Sequence, residues 1–364
     1  MASMSSAERA APRSSPLADL HRELGAEIAE RLGALVAVRY SSVPEETEVL
    51  HEGCGLVDRS WMEALELSGT DRARFLNGLV TCEVRELGEG GGAYGFLTSR
   101  KGGILSDFVL LELGDRFRLE LPPGRGEPVA EHLGRYVLAE RVEIRPAAAL
   151  PLTLVGPAAK GILRELLGGA LPAPLETRWG NAEAGLAGQA VRVAHRPLLG
   201  AEAWVLWVEP AGARALAEAL LAAPGVQPVG FDALDTVRIE AGVPWWGRDY
   251  DESSLPQETG LEEALNFTKG CYLGQEVVAR IHYRGGVNRL LRGLQFDGDE
   301  PPAEGTELRL EGRAVGRVGS VALSPVLEGP VGLALLNKRG AEPGTRLEVE
   351  GGGEAEVAEL PLVA

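Results

Sequence analysis

The sequence has little cysteine, almost no lysine and no long hydrophobic run. Its three cysteines, Cys54, Cys82 and Cys271, are widely spaced and odd in number, which excludes a disulfide framework and suits a reducing, cytoplasmic setting. No apolar stretch approaches the ~18–20 residues that a membrane-spanning helix needs. The first sixteen residues lack the apolar core of a secretory signal. The five histidines and three cysteines show no C-x-x-C or H-x-x-x-H spacing, so no metal site is expected. Basic residues number 36 against 53 acidic ones, a formal charge of −17, which argues against nucleic acid or an anionic membrane as a partner. Only four of the basic residues are lysine, a compositional bias with no bearing on fold.

What remains is a soluble globular composition, 45% hydrophobic and 24% charged. At 364 residues the chain is too long for one ordinary core, and two or three lobes are expected. Residues 1–16 are small and polar and read as a disordered tail. Leu17, Leu20, Leu24, Ile28, Leu32 and Leu35 recur every three or four positions, which predicts an amphipathic helix. Beyond it, period-two alternation in 116–121 and apolar runs at 64–67, 93–98, 150–155, 190–193 and 204–208 predict strands, with helices over 71–80, 157–167 and 211–223. Strands and helices mixed without strict alternation indicate α+β lobes over 17–288. From 289 to 364 glycine-punctuated short strands replace helical periods, and a small closed β-barrel is expected there.

Gly90–Gly95 satisfies G-x-G-x-x-G, but a strand-like FLTS follows where a phosphate-binding helix would start, so the stretch reads as a hairpin loop. The informative segment is 265–292. It carries Lys269, Arg280, Arg284, Arg289 and Arg292 against Glu276, a local charge of +4, directly after an acidic strip over 239–264. Within it Cys271 follows Lys269 and precedes a helix expected to begin near Gly274. A cation and helix-terminal N–H groups both favour thiolate, so Cys271 is a candidate reactive residue with Lys269 as its partner; a small buried hydrophobe is the alternative. Cys54 and Cys82 lack such neighbours and read as core.

The run KGCYLGQE (269–276) resembles the signature of YgfZ-type folate-binding proteins, relatives of the glycine-cleavage T-protein (aminomethyltransferase, GcvT-like). The likeness extends to GLVDRSWMEALELSG (55–69), AYGFLTSRKGGILSDFVLL (93–111), VRIEAGVPWWGRDYD (237–251) and GRVGSVALSPVLEGPVGLALL (316–336). It implies a ring of two α+β lobes and a small C-terminal β-barrel around a central folate channel. It also implies tetrahydrofolate as cofactor, with Tyr94, Asp107, Glu202, Arg238, Gln275 and Glu276 as candidate contacts. In the T-protein branch the central hairpin carries paired aspartates, the first beside the folate. Here Ser106 takes the first place, and Asp107 would serve only if a bulge turned it to the same face. Leu234 also replaces an arginine of that branch. The resemblance therefore implies first a tetrahydrofolate-binding protein that supports assembly or repair of iron–sulfur clusters, with client or assembly proteins as partners and Cys271 as key residue. The alternative is a folate-dependent aminomethyltransferase or demethylase. Whether the chain is an enzyme stays open at this point.

Overall fold

Leu150–Val155 has the continuous apolar pattern of a strand covered on both faces, and five of its six residues are buried. In the structure, a computed structural model describing residues 12–197 and 200–363, it lies inside a six-stranded sheet. The order across that sheet is Asn181–Leu186, Gln189–His195, Ala203–Val208, Leu150–Val155, Cys54–Asp58 and Val226–Pro228. Helices Ala159–Leu166 and Pro210–Leu221 supply Leu163, Leu216 and Leu220 to the core they share with Leu152, Leu154, Trp204 and Leu206. A second sheet has five strands in the order Gly92–Thr98, Ile104–Glu112, Arg116–Leu121, Glu63–Ser68 and Glu143–Pro146. Helices Arg72–Asn77 and Gly126–Gly134 close one face of it over Leu65, Leu67, Phe108, Leu110 and Phe117.

The other faces of the two sheets meet. Tyr94, Phe96, Val109 and Leu111 from the five-stranded sheet pack with Val205 and Trp207 from the six-stranded one, together with Trp179 and Tyr250. Consecutive strands Cys54–Asp58 and Glu63–Ser68 belong to different sheets, so the chain weaves between the lobes. Burying both faces of each sheet explains why Arg116–Leu121, alternating in sequence, has five of its six residues buried.

Strands Arg289–Phe296, Glu307–Leu310, Arg313–Ser324, Gly329–Asn337, Arg346–Val349 and Glu354–Ala358 close into a six-stranded barrel around Leu294, Leu308, Leu336 and Leu347. Helix Phe231–Glu240, buried at every position but Asp232, is the bracket between barrel and lobes. Its Glu240 accepts a hydrogen bond from the Ser324 hydroxyl at 2.5 Å, and its Ile239 packs on Leu291, Val331 and Leu333.

The N-terminal region departs from expectation. The predicted long helix is only Ala18–Glu23; strands Glu27–Arg31 and Ala34–Arg39 follow. Gly25 at φ +78° ends the helix, and Leu32–Gly33, both at positive φ, turn the hairpin. Leucine spacing concealed the alternation of Ala34, Val36 and Val38, which all point into one core. Nor is all of 12–16 an unstructured tail, since Arg13–Ser14 pairs in parallel with Ala34–Leu35. Residues 1–11 lie outside the described structure.

Candidate active site

The strand Ile104–Glu112 should alternate strictly, putting Ile104 and Ser106 on one face and Asp107 on the other. It does not. Opposite it, Leu97 pairs with Ser106 but the next residue, Thr98, pairs with Ile104, leaving Leu105 as an extra residue. This bulge brings Ile104 round to the opposite face, while from Ser106 onward the pairing alternates regularly. Ile104, Val109 and Leu111 share the inter-sheet core, and Asp107 falls on their side. Ser106 is fully buried and turned back, its hydroxyl donating to the Asp107 carbonyl at 2.8 Å. Asp107 is thus the carboxylate that reaches the interior, and the reading that Ser106 had emptied that position is corrected.

Asp107 lines a partly open cavity of about 180 Å³ between the lobes. Trp61, Trp245 and Trp246 form aromatic walls, Pro122 and Pro123 a further side, and Tyr94, Arg59 and Arg196 the polar part. The Tyr94 hydroxyl donates to Asp107 Oδ2 at 2.9 Å, and its ring stacks on Trp179 with centroids 5.6 Å apart. Asp107 Oδ1 is buried and has no hydrogen-bond partner among the described residues. Burial pushes the Asp107 carboxyl above its ordinary range; the Tyr94 hydrogen bond and the nearby Arg196 charge oppose this only in part. Burial and the same carboxylate raise the Tyr94 and Tyr250 phenols, so both stay protonated donors. The Tyr250 hydroxyl stands close by without a well-formed hydrogen bond.

Arg59 and Arg196, 2% and 7% exposed, both donate through Nη2 to the same oxygen of buried Glu120, at 2.8 and 3.2 Å. The Nε and Nη1 groups of both arginines are buried without partners among the described residues. Burial pushes Glu120 up, but Arg196 and Arg59 more than offset it and hold the carboxylate ionised.

The other expected contacts lie elsewhere. Glu202 is exposed and pairs with His195 at 3.2 Å, not in the cavity. Arg238 is wholly buried but faces the barrel. It donates to Asp235 and Asp249 at 2.7 Å each, to the Val243 carbonyl at 3.0 Å and to the Ser320 hydroxyl. Gln275 and Glu276 open the helix Gln275–Arg284; Gln275 accepts the Tyr272 N–H at 3.4 Å, Glu276 is exposed, and neither lines the cavity.

The KGCYLGQE segment is wired to the five-stranded lobe. The Leu273 carbonyl accepts the Thr98 hydroxyl, the Leu273 N–H donates to the Gly78 carbonyl, and Gly274, at φ +84°, leaves no room for a Cβ against the Ser99 carbonyl. Lys269 is buried, and its ammonium donates to the carbonyls of Val80, at 2.9 Å, and Cys82. That commitment makes it a tie between loops, in place of the expected partner for the Cys271 sulfur. Burial drops its pKa from 10.5 to about 8. Because the folded-state value is the lower one, the unfolded chain binds more protons between these limits, and stability rises with pH across that window. Denaturation of the wild type relative to Lys269→Met should show a gain of order 3 kcal/mol from pH 8 to 10.5, absent in the variant.

Cys271 is exposed, whereas Cys54 and Cys82 are buried and their thiols are pushed up to about 12 by burial. Alkylation at neutral pH should therefore label Cys271 first, with the other two protected until unfolding. Lys269→Met should leave the Cys271 labelling rate within about twofold, since the ammonium is spent on carbonyls. Slow labelling of Cys271 alone would contradict this.

With this geometry, comparison with known proteins is direct. Residues 17–269 match the GCVT N-terminal domain and residues 289–363 the glycine cleavage T-protein C-terminal barrel domain. The chain belongs to the glycine-cleavage T-protein family. An aminomethyltransferase of Rubrobacter xylanophilus is 31% identical over 97% of this chain and 92% of its own. One from a Nostoc species is 31% identical over 93% and 92%. The crystal structure of glycine cleavage system aminomethyltransferase T from Bartonella henselae superposes with a TM-score of 0.87, at 26% identity over 96% of this chain and 98% of that one. The two-lobe α+β fold with a C-terminal barrel is thus that of the T-protein superfamily. No helix among the described residues is long and apolar enough to cross a membrane.

Sequence reasoning missed Arg59, Arg196 and Glu120. Arg59 stood inside GLVDRSWMEALELSG, a stretch singled out for its likeness alone, and Arg196 lay six residues before Glu202, the residue expected to matter there. The +4 strip did not supply the cavity's charge: Arg289 pairs with Glu258, Arg292 donates to backbone carbonyls, and Arg280 is exposed.

Proposed function

We propose that this T-protein family member is a tetrahydrofolate-dependent one-carbon transferase of the aminomethyltransferase kind, with Asp107 as its central carboxylate. The observation that carries this reading is the placing of Asp107: it shares the inter-sheet face with Val109 and Leu111, lines the cavity, and its Oδ1 has no hydrogen-bond partner among the described residues. The reading that motif resemblance first favoured, support of iron–sulfur clusters by a YgfZ-type protein, rests on exposed Cys271 alone. The names of the relatives favour the transferase.

The cavity suits a reduced pterin. Three tryptophans offer flat apolar faces, and an unpartnered buried carboxylate oxygen calls for an N–H donor. Tetrahydrofolate, when bound, supplies the nitrogens that accept the one-carbon unit. Tyr94 holds Oδ2, so Oδ1 is the free oxygen, set to take a proton from an N–H and return it to a departing amine. Its raised pKa brings it closer to the groups it would exchange protons with. In the ionised form the same oxygen stabilises positive charge developing on the transferred carbon. Trp61, Trp245 and Trp246 exclude water, which strengthens both effects.

Titration with tetrahydrofolate should quench tryptophan fluorescence saturably, and Trp246→Ala should weaken binding about tenfold or more. Absence of quenching together with absence of calorimetric binding at high ligand concentration would remove the folate assignment.

A further inference from the structure

We propose that Arg59 and Arg196 form a carboxylate-binding subsite at the Asp107 end of the cavity, so that the one-carbon donor is a small molecule bearing a carboxylate. The inference rests on the transferase reading above and specifies its substrate class.

Two guanidinium groups share one carboxylate oxygen, so the Arg59–Glu120–Arg196 cluster carries a net positive charge inside the protein. Both arginines are at least nine-tenths buried, and both line the cavity. Four nitrogens, Nε and Nη1 of each, find no acceptor among the described residues. Buried charged donors left unmade are costly, and a planar guanidinium matches a carboxylate with two parallel hydrogen bonds. Arg248 also lines the cavity but is spent, donating to Asp235 at 2.7 Å and to Glu304. The unmet demand for an anion is therefore confined to Arg59 and Arg196.

Such an anion has two sources, the donor and the glutamate tail of tetrahydrofolate itself. Position favours the donor. Arg196 lies over the Trp179 ring, 5.6 Å from its centroid, and Tyr94, the donor to Asp107, stacks on the same ring; Arg59 is joined to Arg196 through the shared Glu120 oxygen, so the pair belongs to the reacting end. The tail is separated from the reacting nitrogens by a benzoyl ring and belongs toward the mouth.

The test uses the full chain with glycine and glycinamide as probes, alongside tetrahydrofolate and tail-less 6-methyltetrahydropterin. Glycine should bind at least tenfold tighter than its amide. Arg196→Gln, and Arg59→Gln as a second variant should the first not fold, should abolish that preference, while Arg196→Lys keeps part of it. Equal binding of acid and amide, or a preference that survives both glutamine variants, overturns the proposal. If instead the glutamine variants erase an advantage of tetrahydrofolate over 6-methyltetrahydropterin, the pair holds the folate tail and the donor assignment falls. If tetrahydrofolate binds but glycine shows no preference, the subsite fails while the transferase reading stands. If neither pterin binds, that reading fails on its own account.

Discussion

Asp107→Asn is expected to lower the rate of folate-dependent transfer by about 10²–10⁴-fold while leaving the fold intact. The amide keeps the shape and can still accept the Tyr94 hydroxyl, but it neither exchanges a proton nor carries charge. The stability effect runs the other way. The folded-state pKa of Asp107 is raised, so the native state favours the protonated form and loses stability as pH climbs through that value. A neutral amide avoids that loss, and the variant should be as stable as wild type or more so at neutral pH, by order of 1 kcal/mol. Ser106→Asp should not rescue it, because that side chain lies on the opposite face of the strand from Asp107, in a fully buried position. Steady-state rates combined with denaturation curves across pH 4–8 separate the two effects. A variant that is inactive because it is unfolded would contradict the assignment of Asp107 to chemistry.

The second large effect concerns Arg238. Replacing it by alanine should cost about 3–5 kcal/mol, because buried Asp249 would lose its counter-charge and Asp235 one of its two. Burial alone would raise Asp235; Arg238 and then Arg248 outweigh it and hold the carboxylate below the usual range. Asp249 in turn accepts the backbone N–H groups of Trp245, at 2.8 Å, and Ser320, at 2.7 Å. The same ion pairs therefore fix a cavity wall and anchor the barrel. Chemical denaturation should show an earlier midpoint, and tetrahydrofolate affinity should fall only in step with stability. A selective loss of binding in a fully stable variant would restore Arg238 as a direct ligand contact.

The contrast between these residues shows what the sequence could carry. Strands such as Leu150–Val155 and the glycine-punctuated barrel were legible because hydrophobic pattern and turn chemistry are local. The helix expected over the N-terminal leucines was not, because Gly25 and the Leu32–Gly33 turn outweigh leucine spacing. The site depended on which face of one strand meets the other lobe: nothing in GILSDF announces that Asp107, with Val109 and Leu111, takes the inter-sheet face and Ser106 the opposite one. Arg59, Glu120 and Arg196 come from three separate segments, and only the folded chain brings them to one carboxylate oxygen. Lys269 and Cys271 are neighbours in sequence, and proximity there suggested cooperation; the fold buries one against backbone carbonyls and exposes the other.

The most direct test is release of ammonia and formation of methylene-tetrahydrofolate from an aminomethyl donor, measured side by side for the unmodified protein, Asp107→Asn and Cys271→Ser. Tetrahydrofolate-dependent turnover in the unmodified protein and in Cys271→Ser, with loss in Asp107→Asn, is the predicted pattern. No turnover in the unmodified protein, together with a requirement for Cys271 in restoring iron–sulfur enzymes to cells that lack this protein, would contradict it.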